Sequence, residues 1–278
     1  MYSLDRYKLE IINKVGYSIP DGYFDSYFNS FYSSYFEIYP FLKLNKRILD
    51  VGCGPGLLVN YLKREGYDIK GFDNYLYNPH TKNINQIINS VNDVKNCDIE
   101  NFKSKEKFDI IFLSNVIEHL KDWKEYTKSI NKLLAKNGKI IFLLPNYNFP
   151  IEIHFMLPII FNKQLTYKLF KNKIDRFEVK HNRQGLWNSL NFVTPKEIAT
   201  HYEKLNFNVR FDKRYFQNLI LRLIDNSKNL KKNYKKNLLN RLLIKISILV
   251  NFMNLTRTYY FMPLSLHPFI KIIIEKNN

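Results

Sequence analysis

The residues with the clearest chemical meaning form a short turn between an apolar segment and an amphipathic one. Residues 49–57 read LDVGCGPGL, so three glycines occupy alternate positions before the amphipathic segment begins. Glycines let a ligand approach the backbone closely, and the first turn of a helix offers unpaired N–H groups. The turn therefore predicts a strand-turn-helix unit that binds a nucleotide-like ligand. Its candidate binding residues are Asp50, Gly52, Cys53, Gly54 and Gly56.

The spacing of this turn indicates which kind of nucleotide it binds. A dinucleotide fingerprint requires Gly or Ala at position 57, where this chain has Leu, and its third glycine comes one residue early. Asp50 stands two residues before the first glycine, where its charge repels a pyrophosphate and attracts an ammonium group. The pattern favours a ligand with an ammonium group over a dinucleotide. A purely structural turn in another α/β protein is the alternative.

Three acidic residues directly follow successive apolar segments: Asp50, Asp73 and Asp98. In a doubly wound sheet the carboxyl ends of the strands line one crevice, so these carboxylates are expected to converge there. Asp73 follows Asp50 by 23 residues, close to the separation at which an acid reaches the two ribose hydroxyls. Asp98 is placed to accept from an adenine amino group, with Ile99 against the ring.

These motifs resemble, in order and spacing, those of class I S-adenosylmethionine (SAM) dependent methyltransferases. The matching stretches are 48–58, 71–73, 96–99, 108–119 and 133–145. The resemblance implies that Asp50 and the glycine turn hold the methionine tail of SAM, Asp73 the ribose, and Asp98 with Ile99 the adenine. It also implies that Asn115 lies beside the transferable methyl group.

Glu118 and His119 are the first candidates for the acceptor side. Ubiquinone-pathway O-methyltransferases and small-RNA 2′-O-methyltransferases carry a similar E-x-x-E-H motif and bind a divalent metal with it. This chain has Asn115 in place of the first Glu, so one carboxylate ligand is missing and no metal is predicted. An active-site wall or base is the favoured interpretation of the pair, and a structural role or a metal site are the alternatives.

His154 is the second acceptor-side candidate. The stretch from Pro145 to His154 resembles the P-N-x-x-x-x-x-E-x-H segment of methyltransferases from bacterial polysaccharide and lipopolysaccharide gene clusters. Methyl transfer to a hydroxyl needs a base near neutral pH, and histidine is the natural choice. His154 is therefore predicted to act as a base or to contact a sugar hydroxyl. A satisfied core histidine is the alternative, because the surrounding run is apolar.

Alternating apolar and amphipathic segments from residue 46 onward predict the elements that position these residues. Together with the resemblance, they indicate an α/β, Rossmann-like, doubly wound seven-stranded sheet whose last strand is antiparallel. We expect one domain over 1–278: an N-terminal helical lid (1–44), a SAM-binding core (45–150), an irregular substrate-covering insertion (151–192) and a basic helical insertion before the last strand (215–262). Thr194, Pro195 and Glu197 predict a capped helix start.

Charge is distributed unevenly between the two halves of the chain. The formal net charge is +18, and residues 151–278 hold 23 Lys and Arg against 8 Asp and Glu. This excess indicates an acidic partner or a solvated basic face. Residues 228–257 read as an amphipathic basic helix that lies on an anionic membrane or packs on protein. Two cysteines and no visible signal peptide predict a cytoplasmic protein, peripheral to the membrane at most.

The predicted function is O-methylation of a saccharide or lipid-linked glycan by SAM, in polysaccharide biosynthesis. A nucleic-acid methyltransferase, a small-metabolite methyltransferase and a SAM-binding non-catalytic subunit are the alternatives. Base amino-methylation is disfavoured because the fourth strand ends in Ser114-Asn115-Val116, not in an Asn/Asp-Pro-Pro-aromatic loop. Nucleic acid is a disfavoured partner also because no RNA-binding module is recognisable.

Overall fold

The computed structural model describes residues 3–16, 23–75, 79–218 and 261–276. Its main sheet has the order β3-β2-β1-β4-β5-β9-β8. These strands are β1 (Arg47–Val51), β2 (Asp68–Asp73), β3 (Val94–Asn96), β4 (Phe108–Ser114), β5 (Leu134–Pro145), β8 (Phe207–Asp212) and β9 (Phe269–Lys276), and β6 (Ile151–Glu152) with β7 (Leu157–Pro158) forms a separate hairpin. Strands β1 to β5 are parallel, and β9 runs antiparallel between β5 and β8. The predicted seven-stranded, doubly wound sheet is confirmed.

Helices cover both faces of this sheet. They are α1 (Leu4–Val15), α2 (Tyr23–Ile38), α3 (Leu57–Arg64), α4 (Pro79–Ile88), α5 (Trp123–Leu133), α6 (Lys163–Lys180), α7 (Leu186–Ser189) and α8 (Pro195–Lys204). Alternate strand residues enter opposite cores: Ile48 packs in the cluster with α1, α2 and α3, and Leu49 in the cluster with α5 and α8. Burial on both faces explains why the strands read as continuous apolar runs.

Two boundaries in the core differ from what the sequence predicts. The sequence predicts a short third strand near 91–94, but this strand spans Val94–Asn96. The Asn-Gly pair at 137–138 predicts a turn, but it lies inside β5. The register between β4 and β5 shifts at Phe108/Ile110, so the extra residues are absorbed as an irregularity within the strand. Gly138 is needed there because a Cβ would come within 2.7 Å of Leu134 and 3.0 Å of the Phe108 carbonyl.

The segment 147–192 is more regular than predicted. It contains the β6–β7 hairpin, the 18-residue helix α6 and the short helix α7. Only Thr166 and Ile174 of α6 are buried, so the apolar periodicity that would indicate a helix in the sequence is weak. The hairpin, α6 and α7 share a small core that includes Phe155 and Trp187.

The ends of other predicted helices follow the sequence signals. Helix α8 begins at the predicted capping box: the Thr194 N–H donates to Glu197 Oε2 at 2.8 Å, and the Glu197 N–H donates to Thr194 Oγ1 at 3.3 Å. Helix α2 ends at Ile38, followed by a 3₁₀ turn at Tyr39–Phe41. The sequence predicts Asp21 as the N-cap of this helix, and both Asp21 and the predicted basic helix at 228–257 lie outside the described residues. Within the described parts of the chain, no helix has the length and apolarity that crossing a membrane requires.

Candidate functional site

A cavity of about 420 Å³ opens at the carboxyl ends of β1, β2 and β4. The predicted site residues that line it are Gly52, Gly54, Asp73, Asp98, Asn115 and His119. They come from four segments that are far apart in sequence but lie at the carboxyl ends of the parallel strands β1 to β4. The parallel topology therefore brings most of the predicted cofactor residues to one crevice, as expected for an open α/β sheet.

The glycine turn forms the floor of this cavity and approaches its neighbours closely. Gly52 has a φ of 65°, and a Cβ there would lie 2.5 Å from a methyl group of Val116. Gly54 has a φ of 54°, and no atom lies within 4 Å of the position of its missing Cβ. The space above Gly54 thus stays open to a ligand, whereas Gly52 is required by packing against the loop after β4.

Asp73 is tied to the glycine turn by two backbone hydrogen bonds. The Gly54 N–H donates to Asp73 Oδ2 at 2.8 Å, and the Tyr75 N–H donates to Asp73 Oδ1 at 2.6 Å. Burial raises the pKa of Asp73, and these two bonds partly oppose that rise. Each carboxylate oxygen keeps a lone pair, so the group is held in place to accept from ribose hydroxyls. Asp98, also in the cavity, accepts from Asn74 Nδ2 at 2.6 Å.

Asp50 faces a neighbouring smaller space instead of the main cavity. Its side chain is 5% exposed and lines a volume of about 90 Å³ with Cys53 and with Ser30 and Ser34 of α2. Gly52 and Gly54 border both spaces, so the two are contiguous at the turn. Burial, and then the charge of Asp73, raise the pKa of Asp50 to about 8. A cationic ligand group in this space would lower that pKa and favour the ionised carboxylate.

Two predicted cofactor residues, Ile99 and Cys53, are not among the residues that line the main cavity. Ile99 is 2% exposed and packs in the core cluster with Phe72 and Phe102, and it is not among the residues that line the cavity. Phe72 and Cys97 line the cavity in that region. Cys53 is half-buried, and burial raises the pKa of its thiol. The sequence placed Ile99 correctly after a strand but could not show which way its side chain turns.

A second cavity, of about 360 Å³, adjoins the first on the side of the hairpin. Asn115 and His119 line both cavities, and His154, Arg183 and Leu186 line only the second. Asn115 adopts a left-handed backbone conformation with a φ of 54°, and its N–H donates to the Leu143 carbonyl at 2.8 Å. This constrained residue therefore stands at the junction of the two cavities.

His154 is oriented by a fully buried carboxylate. Its Nδ1 lies 2.7 Å from Glu152 Oε1, and the backbone N–H groups of His154 and Phe155 also donate to the Glu152 carboxylate. Burial alone would lower the pKa of His154, but the hydrogen bond to Glu152 and the charges of Glu152 and Glu118 raise it. Because a carboxylate only accepts, Nδ1 carries the proton and Nε2 is the acceptor nitrogen of the neutral ring.

His119 and Glu118 lie beside His154, and the ring centroids of the two histidines are 5.4 Å apart. His119 Nδ1 is 2.9 Å from Ser189 Oγ, whose own hydroxyl donates to the Leu186 carbonyl. Burial, with the charges of His154 and Arg183, lowers the pKa of His119 to about 3, so this ring is neutral at pH 7. Glu118 is fully buried, and burial raises its pKa to about 7 although His154 opposes the rise.

The same three side chains offer a possible donor set for a metal. Glu118, His119 and His154 each provide one ligand atom, and these atoms lie within 4.8 Å of one another. Neither carboxylate oxygen of Glu118 has a hydrogen-bond partner among the described residues. Two imidazoles and one carboxylate are a donor set that zinc or a similar divalent cation accepts.

Sequence reasoning missed the residues that support this second cavity. Glu152, Ser189 and Arg183 were not singled out as site residues, although the spacing of Glu152 and His154 in an E-x-H motif was a usable signal. Ser189 and Arg183 carry no local signal, because only the packing of α6 and α7 brings Ser189 to His119 and Arg183 to the cavity.

Comparison with known proteins identifies the class. Residues 27–210, about two thirds of the chain, match the family described as a methyltransferase domain, and the chain belongs to that family. The sheet order, the glycine turn and the acids behind it agree with this assignment. The protein is thus a member of the class I SAM-dependent methyltransferases, whose cofactor is S-adenosylmethionine.

Individual proteins are similar to this chain over different shares of its length. An uncharacterized protein of Mycobacterium tuberculosis is 30% identical over 168 residues, 56% of this chain and 55% of the relative, so the chain spans about half of that protein's length. A ubiquinone biosynthesis O-methyltransferase of Pelagibacter ubique is 28% identical over 184 residues, 66% of this chain and 68% of the relative. The crystal structure of a putative SAM-dependent methyltransferase from Listeria monocytogenes covers 89% of this chain and 99% of its own length, with a TM-score of 0.50 and 11% identity, which supports the fold alone.

Proposed function

We propose that the protein transfers the methyl group of SAM to a hydroxyl oxygen of a saccharide or lipid-linked glycan. The observation that carries the proposal is the buried Glu152–His154 pair in a cavity that meets the cofactor cavity at Asn115 and His119. A base held at such a junction suits transfer to oxygen, since a hydroxyl must lose its proton as it is methylated.

The proposed mechanism requires little covalent chemistry from the protein. When bound, SAM would supply the methyl group on its sulfonium sulfur; transfer to the acceptor oxygen would form the O–C bond as the S–C bond breaks, with S-adenosylhomocysteine (SAH) as the product. His154 Nε2 takes the hydroxyl proton, and Glu152 stabilises the resulting imidazolium through its 2.7 Å contact with Nδ1. Positioning the two reactants and excluding water supply most of the rate enhancement.

Roles on the cofactor side follow the placement of the acids. We assign Asp73 to the ribose hydroxyls, Asp98 to the adenine amino group, and Asn115 to the region beside the methyl group. Asp50, with the glycine turn, takes the ammonium end of the methionine tail, because it lies buried next to the turn in a space lined by α2. In this arrangement α1 and α2 serve as the lid, and the segment 151–192 covers the acceptor within a single methyltransferase domain.

A metal is not needed for this mechanism. If a divalent cation were bound, Glu118, His119 and His154 are the residues that would hold it, and it would lower the pKa of an acceptor hydroxyl. The prediction of a metal-free site rests on Asn115, which replaces the first carboxylate of the related E-x-x-E-H motif.

Calorimetric measurement of cofactor binding and assays of SAH formation distinguish this proposal from its alternatives. Tight binding of SAM and SAH without binding of NAD is expected for the cofactor site. Formation of SAH in the presence of a sugar acceptor would support O-methylation, whereas turnover only with nucleic acid or a non-sugar metabolite would favour those alternatives. SAM binding with no turnover of any of them would indicate a non-catalytic subunit.

Peripheral binding to an anionic membrane, on the cytoplasmic side, remains part of the proposal for a lipid-linked acceptor. The residues that suggested it, 228–257, lie outside the described structure, so their composition alone supports it. Co-sedimentation with anionic vesicles should decrease when these residues are deleted. Unchanged sedimentation would contradict the idea.

A further inference from the structure

Arg183 is a charged residue of the second cavity with no role in the mechanism above. It is half-buried and lines this cavity together with His154, His119 and Asn115. Its guanidinium group forms no hydrogen bond or ion pair with any residue that the structure describes. A half-buried cation at the wall of a cavity keeps a desolvation cost that an anionic ligand group would offset.

The backbone around Arg183 is held firmly. The Arg183 N–H donates to the Glu178 carbonyl at 2.9 Å, and the Arg183 carbonyl accepts from the Leu186 N–H at 3.1 Å. The Glu178 carboxylate, the nearest acid in sequence, accepts from the N–H groups of Gly185 and Trp187 at 3.0 and 2.7 Å. Glu178 is therefore engaged in shaping the turn, and Arg183 lies on that turn with no counter-charge paired to it among the described residues.

Other charges around the cavity do not supply the missing partner. The Glu152 carboxylate is occupied by His154 and by two backbone N–H groups. Glu118 is fully buried beside the two histidines and does not line the cavity. The accessible wall of the second cavity thus presents a guanidinium, two imidazoles and an amide, with no acid among its lining residues.

We propose that Arg183 is an anion subsite for the acceptor, so that the methylated hydroxyl belongs to an anionic sugar. The anionic group is a carboxylate, as in a uronic acid, or a phosphate ester on the sugar; both have oxygens that match the fork of a guanidinium. With this group on Arg183, the adjacent hydroxyl faces His154 and Asn115. The inference rests on the proposed function, and it specifies the substrate class of that site.

Calorimetry on the full chain saturated with SAH tests the subsite without requiring turnover. The probes are D-glucuronate, D-glucose 1-phosphate and neutral methyl α-D-glucopyranoside. At least one anionic probe should bind about tenfold more tightly than the neutral one, and Arg183→Gln should reduce that preference by about tenfold or more. Arg183→Lys, which keeps the charge and loses the fork, should lie between. Lys180→Gln removes the same charge from the exposed end of α6 and should change binding by less than twofold.

Each outcome is decisive. A preference only for glucuronate points to a carboxylate, and one only for glucose 1-phosphate points to a phosphate. Equal binding of anionic and neutral probes, no binding of any probe, or a preference that survives Arg183→Gln would overturn the subsite. If the preference depends on Arg183 but no probe is methylated, the subsite stands and the proposed saccharide O-methylation loses its support.

Discussion

The cofactor cavity and the acceptor cavity meet at Asn115 and His119 but are built differently. The first is made by short turns that directly follow parallel strands, and its Asp73 accepts from the backbone N–H of the neighbouring Gly54. The second gathers residues from the loop after β4, the β6–β7 hairpin and the turn before α7. A binding site for a common cofactor is thus encoded locally, whereas the site for a particular acceptor depends on how an insertion packs.

The largest expected effect is a loss of turnover, without a loss of SAM binding, when the base of the acceptor cavity is removed. His154→Gln should lower kcat by about 10²–10⁴-fold because the hydroxyl loses its base, while the dissociation constant of SAM changes less than twofold. Steady-state kinetics and calorimetry on the same preparation measure both. Glu152→Gln should lower kcat less, since it leaves the imidazole in place but weakens its orientation. A normal kcat for His154→Gln would refute His154 as the base.

A somewhat smaller effect is expected on the cofactor side. Asp73→Ala removes the predicted acceptor for the ribose hydroxyls and the partner of the Gly54 and Tyr75 N–H groups. SAM should bind about 30–100-fold more weakly, corresponding to about 2–3 kcal/mol. Circular dichroism serves as the folding control, and His154→Gln as the matched variant of the other cavity. Unchanged affinity would show that the ribose assignment is mistaken.

A third prediction concerns the buried carboxyl next to the turn. Because its pKa is raised to about 8, Asp50 is mostly protonated at pH 7 in the free protein. A bound ammonium group favours the carboxylate, so SAM binding should release a proton, and affinity should rise from pH 6 toward pH 8 by at most about tenfold per unit.

The control for this prediction is Asp50→Asn, which should bind SAM without that proton release. Calorimetry in two buffers of different ionisation enthalpy counts the protons. The same raised pKa should make the free energy of unfolding of the ligand-free protein fall as the pH rises from about 4 to about 8, because the unfolded carboxyl ionises first. Proton uptake on SAM binding would contradict the assigned role.

The smallest expected effect is that of metal removal. With Asn115 in place of a carboxylate, we expect kcat to be unchanged after dialysis against a chelator. Loss of activity that zinc or magnesium restores would instead show that Glu118, His119 and His154 hold a metal. Such a result would identify the acceptor cavity as a metal centre, which would be a further difference from the cofactor cavity.

Much of the fold was predictable because its signals are local. The apolar runs of β1, β2 and β4, the glycine turn and the Thr194 capping box each depend on residues close together in sequence, and all of them are present in the structure. The hairpin and α6 were missed because few of their residues are buried, so little periodicity marks them. The irregular start of β5 was missed because it depends on the pairing with Phe108.

By itself, the sequence determined the class of protein, the parallel sheet and the crevice in which Asp73 and Asp98 lie, because strand order and turn chemistry follow from pattern and spacing. Only the tertiary structure decided that Ile99 turns into the core, that Glu152 orients His154, and that Arg183 reaches the same cavity. These facts depend on side-chain directions and on contacts between distant segments. Long-range packing sets both, and no local pattern of residue types contains them.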